Sequence, residues 1–166
     1  MTALVSQIPA TAGHWDATLA GEIIAAHASM EGAALPILHA LQEEFGYVPK
    51  QSEAMIANAI NVSRPEVHGV ISFYHDFRRT SPGRHVLKVR RAEACQSVGA
   101  AAMADRLLAR LGVEWGGTTR DGSLTVEPTF CLGLCACGPA ALLDEEPLAR
   151  LNDAGLLEVT EEARRT

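Results

Sequence analysis

The chain has 166 residues and a mass of 17.7 kDa, which suits one ordinary domain or two small ones. Hydrophobic residues make up 48% of the chain and charged residues 20%, a composition that excludes a disordered protein. The 14 basic and 20 acidic residues give a net charge of −6, which excludes a general nucleic-acid binder with a basic surface.

Two features bear on location. The apolar runs are only a few residues long, whereas a membrane-spanning helix needs about 20, so we expect no insertion into a membrane. Residues 1–10 carry neither a basic segment nor a long apolar core, so the sequence predicts a cytoplasmic protein without a secretory signal.

Four helices are predicted in the first half of the chain. Apolar residues at helical spacing indicate the first two, which Gly32 and Gly46 would end. A third helix is expected to begin near Ser52. The fourth begins at Ser63, because Glu66 three residues later completes a capping box. The residues predicted to face the core of this bundle are Trp15, Leu19, Ile23, Ala26, Met30, Leu35, Leu38, Leu41, Phe45, Met55, Ile56, Ile60, Val67, Val70, Ile71, Phe73, Tyr74 and Phe77.

The pattern changes after a predicted turn at residues 80–83. Residues 85–90 alternate as a strand does, and residues 98–111 form a predicted helix that Gly112 ends. Two hairpins should follow, the first turning at Asp121–Gly122. The predicted hairpin strands are residues 118–120, 123–127, 140–143 and 147–149. The end of the chain, residues 161–166, is predicted as a frayed helix end.

This change of pattern predicts two domains and an α/β fold class. Residues 1–82 would form a helical bundle, and residues 83–166 would combine strands with a helix.

All four cysteines lie in the second half, at Cys95, Cys131, Cys135 and Cys137. Three thiols within seven residues, with glycines between and beside them, are not typical of buried core cysteines. Clustered cysteines in a reducing compartment are typical of a metal or redox site. Thiolates select zinc, Cu(I) or iron–sulfur clusters over hard cations. The sequence therefore predicts a metal or redox site formed by loops at strand ends.

The sequence around these cysteines resembles the thioredoxin-like [2Fe-2S] ferredoxins. These are small iron–sulfur subunits found beside a flavin subunit in respiratory complex I, in NAD-reducing hydrogenases and in soluble NAD-dependent formate dehydrogenases. The resemblance rests on residues 91–97 (RAEACQS) and 131–135 (CLGLC), and on N-terminal segments at 35–49 and 70–77. Residues 73–77 and 91–97 are most similar to the gamma subunit of formate dehydrogenases.

The resemblance implies a thioredoxin-like ferredoxin domain over residues 83–166, whose function is one-electron transfer through a [2Fe-2S] cluster. It implies that the cluster exchanges electrons with FMN, which a flavin subunit holds together with the NAD site, and that a larger catalytic subunit completes a formate dehydrogenase complex. No substrate site is expected on this chain. Within the family, the alternative is the equivalent subunit of complex I or of a NAD-reducing hydrogenase.

One position departs from the family's ligand pattern of Cys-x4-Cys followed downstream by Cys-x3-Cys. Cys95 matches the second ligand, so the first ligand would be residue 90, which is Arg90. Either the vacant place is taken by Cys137, which the family does not use, by Arg90 or by another group, or the cluster is labile or absent. The predicted metal ligands are therefore Cys95, Cys131, Cys135 and Cys137.

Two other interpretations stay open. Cys135 and Cys137 could form the redox pair of a thiol oxidoreductase, although thioredoxin-like folds usually carry Cys-x-x-Cys after the first strand. A metal-free or zinc-binding structural subunit is the other interpretation, which the missing cysteine at residue 90 keeps open. The basic pairs Arg78–Arg79 and Arg90–Arg91 are expected to be solvated or to lie at an interface.

Overall fold

The computed structural model describes residues 14–165, so the prediction for residues 1–10 and the terminal Thr166 lie outside the described residues. The described chain divides into two compact units, residues 14–81 and residues 82–165. Their assignment as separate domains with a boundary at residue 82 stays a prediction. Between residues 14 and 165, no helix has both the length and the apolar character needed to cross a membrane.

The first unit contains the four predicted helices, which confirms the helical part of the prediction. They are α1 (Ala17–His27), α2 (Ala34–Phe45), α3 (Ser52–Ala59) and α4 (Arg64–Phe73). The capping box forms as expected, since the Ser63 N–H donates to Glu66 Oε2 at 2.8 Å and the Glu66 N–H donates to Ser63 Oγ. Gly46 ends α2 with a φ of 79°, a conformation that favours glycine.

The core of the first unit includes most of the predicted apolar residues, and the exceptions lie near helix ends. Phe77 is buried as predicted, whereas Phe73 is 73% exposed and Tyr74 is 42% exposed. The prediction was wrong for these two because α4 ends at Phe73, and Tyr74 is extended. Met30 and Ala26 are also exposed, because α1 ends at His27 and its buried positions are those of Ala20 and Ile24. The largest fully buried side chains of this unit are Phe45, Ile37, Leu38, Leu41, Ile56, Val48 and Val67.

The second unit is a mixed four-stranded sheet with helices, which confirms the α/β fold class. The elements are β1 (His85–Arg90), α5 (Glu93–Gln96), α6 (Ala100–Leu111), β2 (Leu124–Thr129), β3 (Ala141–Leu143), β4 (Glu146–Leu148) and α7 (Asp153–Arg165). The strand order is β2-β1-β3-β4, with β1 and β2 parallel and the other neighbours antiparallel. The central strand β1 therefore contacts strands that come much later in the chain.

Strand β1 is buried on both faces, and this positions the candidate site. Leu87 and Val89 belong to the core cluster that also contains α6 and α7 residues. Successive side chains in a strand point to opposite faces, so Val86 and Arg90 share the other face. Both of these residues are buried. The last residue of β1 is thus a buried arginine, at the end of the sheet where the segments that carry the cysteines begin.

The turn of the first predicted hairpin forms, because the Gly122 N–H donates to the Thr119 carbonyl at 2.8 Å, but residues 118–120 are not a strand. An antiparallel bridge joins Thr118 to Thr125, and the Thr119 N–H donates to the Leu124 carbonyl at 2.8 Å. On their other side, residues 124–129 pair in parallel with β1. This pairing is non-local, so the local turn signal at residues 121–122 did not reveal it.

The second predicted hairpin is confirmed. In the second hairpin β3 and β4 pair across Asp144–Glu145, whose φ angles of 49° and 74° are typical of a two-residue turn.

The helices of the second unit differ from the prediction in extent. The short α5 precedes α6, which begins at Ala100 rather than at Val98. The frayed end predicted from residue 161 is part of α7, a helix of 13 residues. Its buried positions are occupied by Leu156, Thr160 and Ala163, of which only the first is strongly apolar. The apolar periodicity of this helix is therefore weak in the sequence.

Candidate metal centre

The four cysteines lie in the two connections that follow the parallel strands β1 and β2, and these connections are called the cysteine loops below. Cys95 is in α5, just after β1, and the other three lie between β2 and β3. Strands β1 and β2 are parallel, and their last residues, Arg90 and Thr129, pair with each other. Both loops therefore begin at the same end of the sheet, at the carboxyl ends of these strands. The predicted meeting of distant cysteines at strand ends thus has a structural basis.

The loop after β2 is shaped by glycine and held by backbone hydrogen bonds. Gly133 has a φ of 70°, which favours glycine at this position. The N–H of Arg150 donates to the Cys137 carbonyl at 2.8 Å, and the N–H of Leu151 donates to the Pro139 carbonyl at 3.0 Å. These bonds fix the end of the loop, whereas residues 131–135 precede it on the surface.

The two loops approach each other closely at Gly138. A methyl group on Gly138 would lie only 3.2 Å from Cys95 Sγ and 3.5 Å from the Ala94 carbonyl oxygen. A side chain at this position would therefore be tight against the Cys95 thiol, which would have to shift by a few tenths of an ångström. Cys95 is fully buried, Cys137 is half-buried, and Cys131 and Cys135 are exposed. The site thus runs from a buried thiol to an exposed loop.

Arg90 lies between the two cysteine loops. Its Nη1 donates to Cys95 Sγ at 3.3 Å and its Nη2 donates to Cys135 Sγ at 3.0 Å. Its Nε donates to the carbonyl of Phe130 at 3.2 Å. Arg90 is only 3% exposed, so the expectation that it is solvated or at an interface was wrong for this residue. The reason is its position on a strand that is buried on both faces.

The guanidinium of Arg90 is held in its protonated form. Burial by itself lowers the pKa of Arg90, but hydrogen bonding and attraction to Cys135 and Cys95 outweigh it and hold the pKa above its ordinary value. A protonated guanidinium has no lone pair to offer a metal ion. Arg90 is therefore a hydrogen-bond donor to two thiols in this arrangement, and the option that it acts as a ligand loses support.

The predicted ligands can now be compared with these positions. The structure brings Cys95 and Cys135 to one guanidinium and places Cys131 and Cys137 in the same loop as Cys135. Within residues 14–165, no three His, Cys, Asp or Glu side chains are arranged to hold a metal ion. Four soft thiols match a [2Fe-2S] cluster in number and chemistry. The assignment of all four cysteines as ligands stays a prediction.

Sequence reasoning missed three features of this site. It did not identify Arg90 as a donor to the thiols, although the departure from the ligand pattern at residue 90 was the available signal. It also assigned no role to Phe130, which is 67% exposed, or to Val98, which is 54% exposed. The Phe130 carbonyl accepts from Arg90, and Val98 Cγ2 would lie 3.5 Å from a methyl group on Gly138. These apolar side chains therefore border the cysteine loops.

Comparison with known proteins identifies relatives of the whole fold. The family model of the thioredoxin-like [2Fe-2S] ferredoxins matches residues 20–164. The chain is 33% identical to a subunit of the NADH-quinone oxidoreductase of Escherichia coli (strain K12) over 129 residues, which are 78% of each chain. It is 30% identical to NADP-reducing hydrogenase subunit HndA of Solidesulfovibrio fructosivorans over 116 residues, covering 70% of this chain and 68% of that protein.

A solved structure of a similar fold supports the same family assignment. The chain is similar to a chain of a NAD+-reducing [NiFe]-hydrogenase in the H2-reduced state, with a TM-score of 0.67 and 28% identity. The match covers 80% of this chain and 22% of the hydrogenase chain, so the protein spans about a fifth of that chain's length. These matches confirm the predicted thioredoxin-like ferredoxin fold.

Proposed function

The chain belongs to the thioredoxin-like [2Fe-2S] ferredoxin family, and from this premise we propose that it is a one-electron-transfer subunit of a multisubunit NAD-linked oxidoreductase. The observation that carries the proposal is the match of the family model to residues 20–164, together with cysteines at 95, 131 and 135, three positions of the family's ligand pattern. Soft thiolate ligands of this kind bind iron–sulfur clusters.

The proposed cluster ligands are Cys95, Cys131, Cys135 and Cys137. A [2Fe-2S] cluster supplies one-electron chemistry and takes two protein ligands on each iron. Cys95 offers a buried thiol, and Cys131 and Cys135 offer thiols from the exposed loop. Cys137 supplies the fourth, because Arg90 stands at the position of the family's first ligand and is protonated.

The proposed complex contains a flavin subunit and a larger catalytic subunit. FMN and the NAD site belong to the flavin subunit in this proposal, and the present chain passes electrons to or from FMN. The relatives from NADH-quinone oxidoreductase and from NADP-reducing hydrogenase are both named as subunits, which supports membership in such a complex. The exposed Phe130 and Val98 beside the cysteine loops provide apolar surface suited to burial against another protein.

Within this class we infer a soluble NAD-dependent formate dehydrogenase, acting in the cytoplasm. The resemblance of residues 73–77 and 91–97 to its gamma subunit supports this choice. The equivalent subunit of complex I or of a NAD-reducing hydrogenase is the alternative. An affinity-tagged chain purified from its native host should bring down larger subunits with FMN and with formate-dependent NAD reduction. Co-purification with hydrogen- or quinone-dependent activity would favour the alternatives.

A second candidate function is that of a structural subunit without a cluster. The observation that favours it is Arg90, which occupies a ligand position of the family and already bonds two of the thiols. Anaerobic reconstitution of the purified chain separates the two functions. The cluster function predicts about two irons and matching acid-labile sulfide per chain, together with visible absorption. Stoichiometric zinc without labile sulfide, or no metal at all, would refute it.

The fourth ligand can be tested in the same preparation. Cys137→Ser should lower the iron retained after reconstitution, and Arg90→Cys added to Cys137→Ser should restore it by returning a thiolate to the family's position. Cys131→Ser is the matched control. It removes a thiol from the same loop, at a position where the family pattern does have a cysteine ligand. If Cys137→Ser leaves iron content and the EPR spectrum unchanged, Cys137 is not a ligand.

A further inference from the structure

The side chain of Arg90 connects three points of the second unit. Its Nη1 donates to Cys95 Sγ at 3.3 Å, its Nη2 to Cys135 Sγ at 3.0 Å and its Nε to the Phe130 carbonyl at 3.2 Å. The first acceptor lies in α5, and the other two lie at the start and in the middle of the loop after β2. Because the guanidinium is planar, it fixes the directions of all three hydrogen bonds. One side chain therefore defines how the two cysteine loops lie against each other.

The backbone at Arg90 is held as firmly as its side chain. The Arg90 N–H donates to the Ala140 carbonyl at 3.1 Å, and the next N–H along the chain, that of Arg91, donates to the Thr129 carbonyl at 2.7 Å. The end of β1 is therefore bonded to segments on both of its sides. The sheet thus fixes one end of the connection that the guanidinium makes to the loops.

This connection differs from one made by a metal ion. In many metal sites the ligands come together only when the metal binds, so that the fold depends on the metal. In this chain a cation occupies the position of the family's first ligand, and between residues 14 and 165 no three His, Cys, Asp or Glu side chains are arranged to hold a metal ion. Arg90, which is 3% exposed, instead bonds two of the sulfurs directly. The loops are thus joined by one of the chain's own side chains.

We propose that Arg90 holds the two cysteine loops together when no metal is bound, so that the second unit folds and keeps Cys95 buried without a cluster. The inference concerns the metal-free chain, so it goes beyond the proposed function and does not depend on it. Separation of the loops would break the three hydrogen bonds of Arg90, and a buried cation that loses its acceptors is costly. Without the guanidinium, the loops should separate more easily and expose Cys95, which is fully buried in the structure.

The test uses the full chain, reduced and stripped of metal with a chelator. Peptide mass spectrometry measures the rate at which a maleimide labels Cys95. A buried thiol reacts only when its surroundings open, so this rate reports the opening of the loops. The exposed Cys131 serves as a reference within every sample. Arg90→Gln removes both the charge and the planar fork, whereas Arg90→Lys keeps the charge without the fork.

Two control variants separate the proposed effect from general charge and from general instability. Arg91→Gln removes the neighbouring arginine, which is exposed and whose Cζ lies 5.0 Å from the centre of the Trp115 ring. Leu107→Ala truncates a buried side chain of α6 and so weakens the core of the unit. Urea denaturation followed by circular dichroism measures the stability of each variant. This measurement shows how much of the labelling of Cys95 is explained by unfolding of the whole unit.

In the metal-free wild type we expect Cys95 to be labelled much more slowly than Cys131. In Arg90→Gln, labelling of Cys95 should be at least about tenfold faster than in the wild type, because the loss of one hydrogen bond to a charged group is enough for that factor. Labelling in Arg90→Lys should fall between these two rates, and Arg91→Gln should match the wild type. Leu107→Ala should speed labelling only as far as its loss of stability accounts for, whereas Arg90→Gln should exceed that amount.

Several results would overturn the inference. Labelling of Cys95 as fast as that of Cys131 in the metal-free wild type would show that the loops are not held together without metal. Labelling in Arg90→Gln that its stability explains, or that Arg91→Gln equals, would show that Arg90 has no specific role. If Arg90→Gln does not fold, a wild-type labelling rate in Arg90→Lys would refute the proposal instead. Iron uptake on reconstitution is a separate measurement, so a failure of the proposed function would appear there and would leave the labelling result unchanged.

Discussion

The two units each contain a buried charged residue, and the two charges are opposite in sign and in surroundings. In the helical unit, Glu53 of α3 is a buried carboxylate that accepts from Arg64 Nε at 3.3 Å and from His68 Nδ1 at 3.2 Å, and also from Arg79. In the sheet unit, Arg90 is a buried cation bonded to two thiols and a carbonyl. A buried charge needs such partners, because its desolvation is otherwise costly.

The partners differ in chemistry, and this separates a structural site from a candidate functional one. Burial alone raises the pKa of Glu53, but hydrogen bonds from His68, Arg79 and Arg64 outweigh burial and hold the pKa below its ordinary value. The partners of Glu53 offer no soft ligand for a metal. The partners of Arg90 are cysteine sulfurs, which also bind iron. We therefore expect changes at Glu53 to alter stability and changes around Arg90 to alter metal binding.

The largest expected effect is that of Cys95→Ser on iron binding. This change removes a proposed ligand and one of the two sulfur acceptors of Arg90. Loss of even an outer-shell partner costs about 10- to 100-fold in metal affinity, so we expect retained iron to fall by more than about tenfold. Iron and labile sulfide analysis after reconstitution measures the change. Retention of two irons per chain would contradict the proposed role of Cys95.

Next in size is the effect of Glu53→Ala on the stability of the chain. The change leaves partly buried cations without their shared acceptor, so the free energy of unfolding should fall by about 1–3 kcal/mol. Urea denaturation followed by circular dichroism measures it. Glu43→Ala is the matched control, because Glu43 is an exposed carboxylate on α2. Iron content should stay unchanged in both variants, and a loss of iron in Glu53→Ala would contradict the separation of the two sites.

The sequence predicted the parts of each unit that depend on neighbouring residues. The capping box at Ser63 and Glu66 and the glycine end of α2 are local, and both formed as predicted. The resemblance of residues 91–97 and 131–135 likewise led to the correct family. Arg90 was missed because its burial depends on β2, which pairs with β1 from about 40 residues away. The exposure of Tyr74 was missed because the helical spacing continues in the sequence after the helix has ended.

A smaller effect is expected from acid pH, through Glu53. Its pKa in the folded chain lies below the ordinary value of 4.5, so its ionised form contributes stability that is fully present above about pH 4.5. That contribution is lost as the pH falls through the folded pKa. The difference in unfolding free energy between the wild type and Glu53→Gln should therefore narrow as the pH falls from 5 toward 3. Urea denaturation at several pH values in this range measures it, and a constant or widening difference would contradict the expectation.

The smallest expected effect is that of Arg64→Gln, which removes one cation from Glu53 and leaves His68 and Arg79. The Arg64 side chain is 53% exposed and its Nε lies 3.3 Å from Glu53 Oε2. Exposed ion pairs contribute about 0.2–1 kcal/mol, because water competes for both charges and holding a long side chain costs entropy. We therefore expect a loss near the low end of that range, well below the loss in Glu53→Ala. A loss as large as that of Glu53→Ala would mean that Arg64 alone neutralises the buried carboxylate. Glu53 would then depend on a single partner, unlike Arg90, which donates to two thiols and a carbonyl.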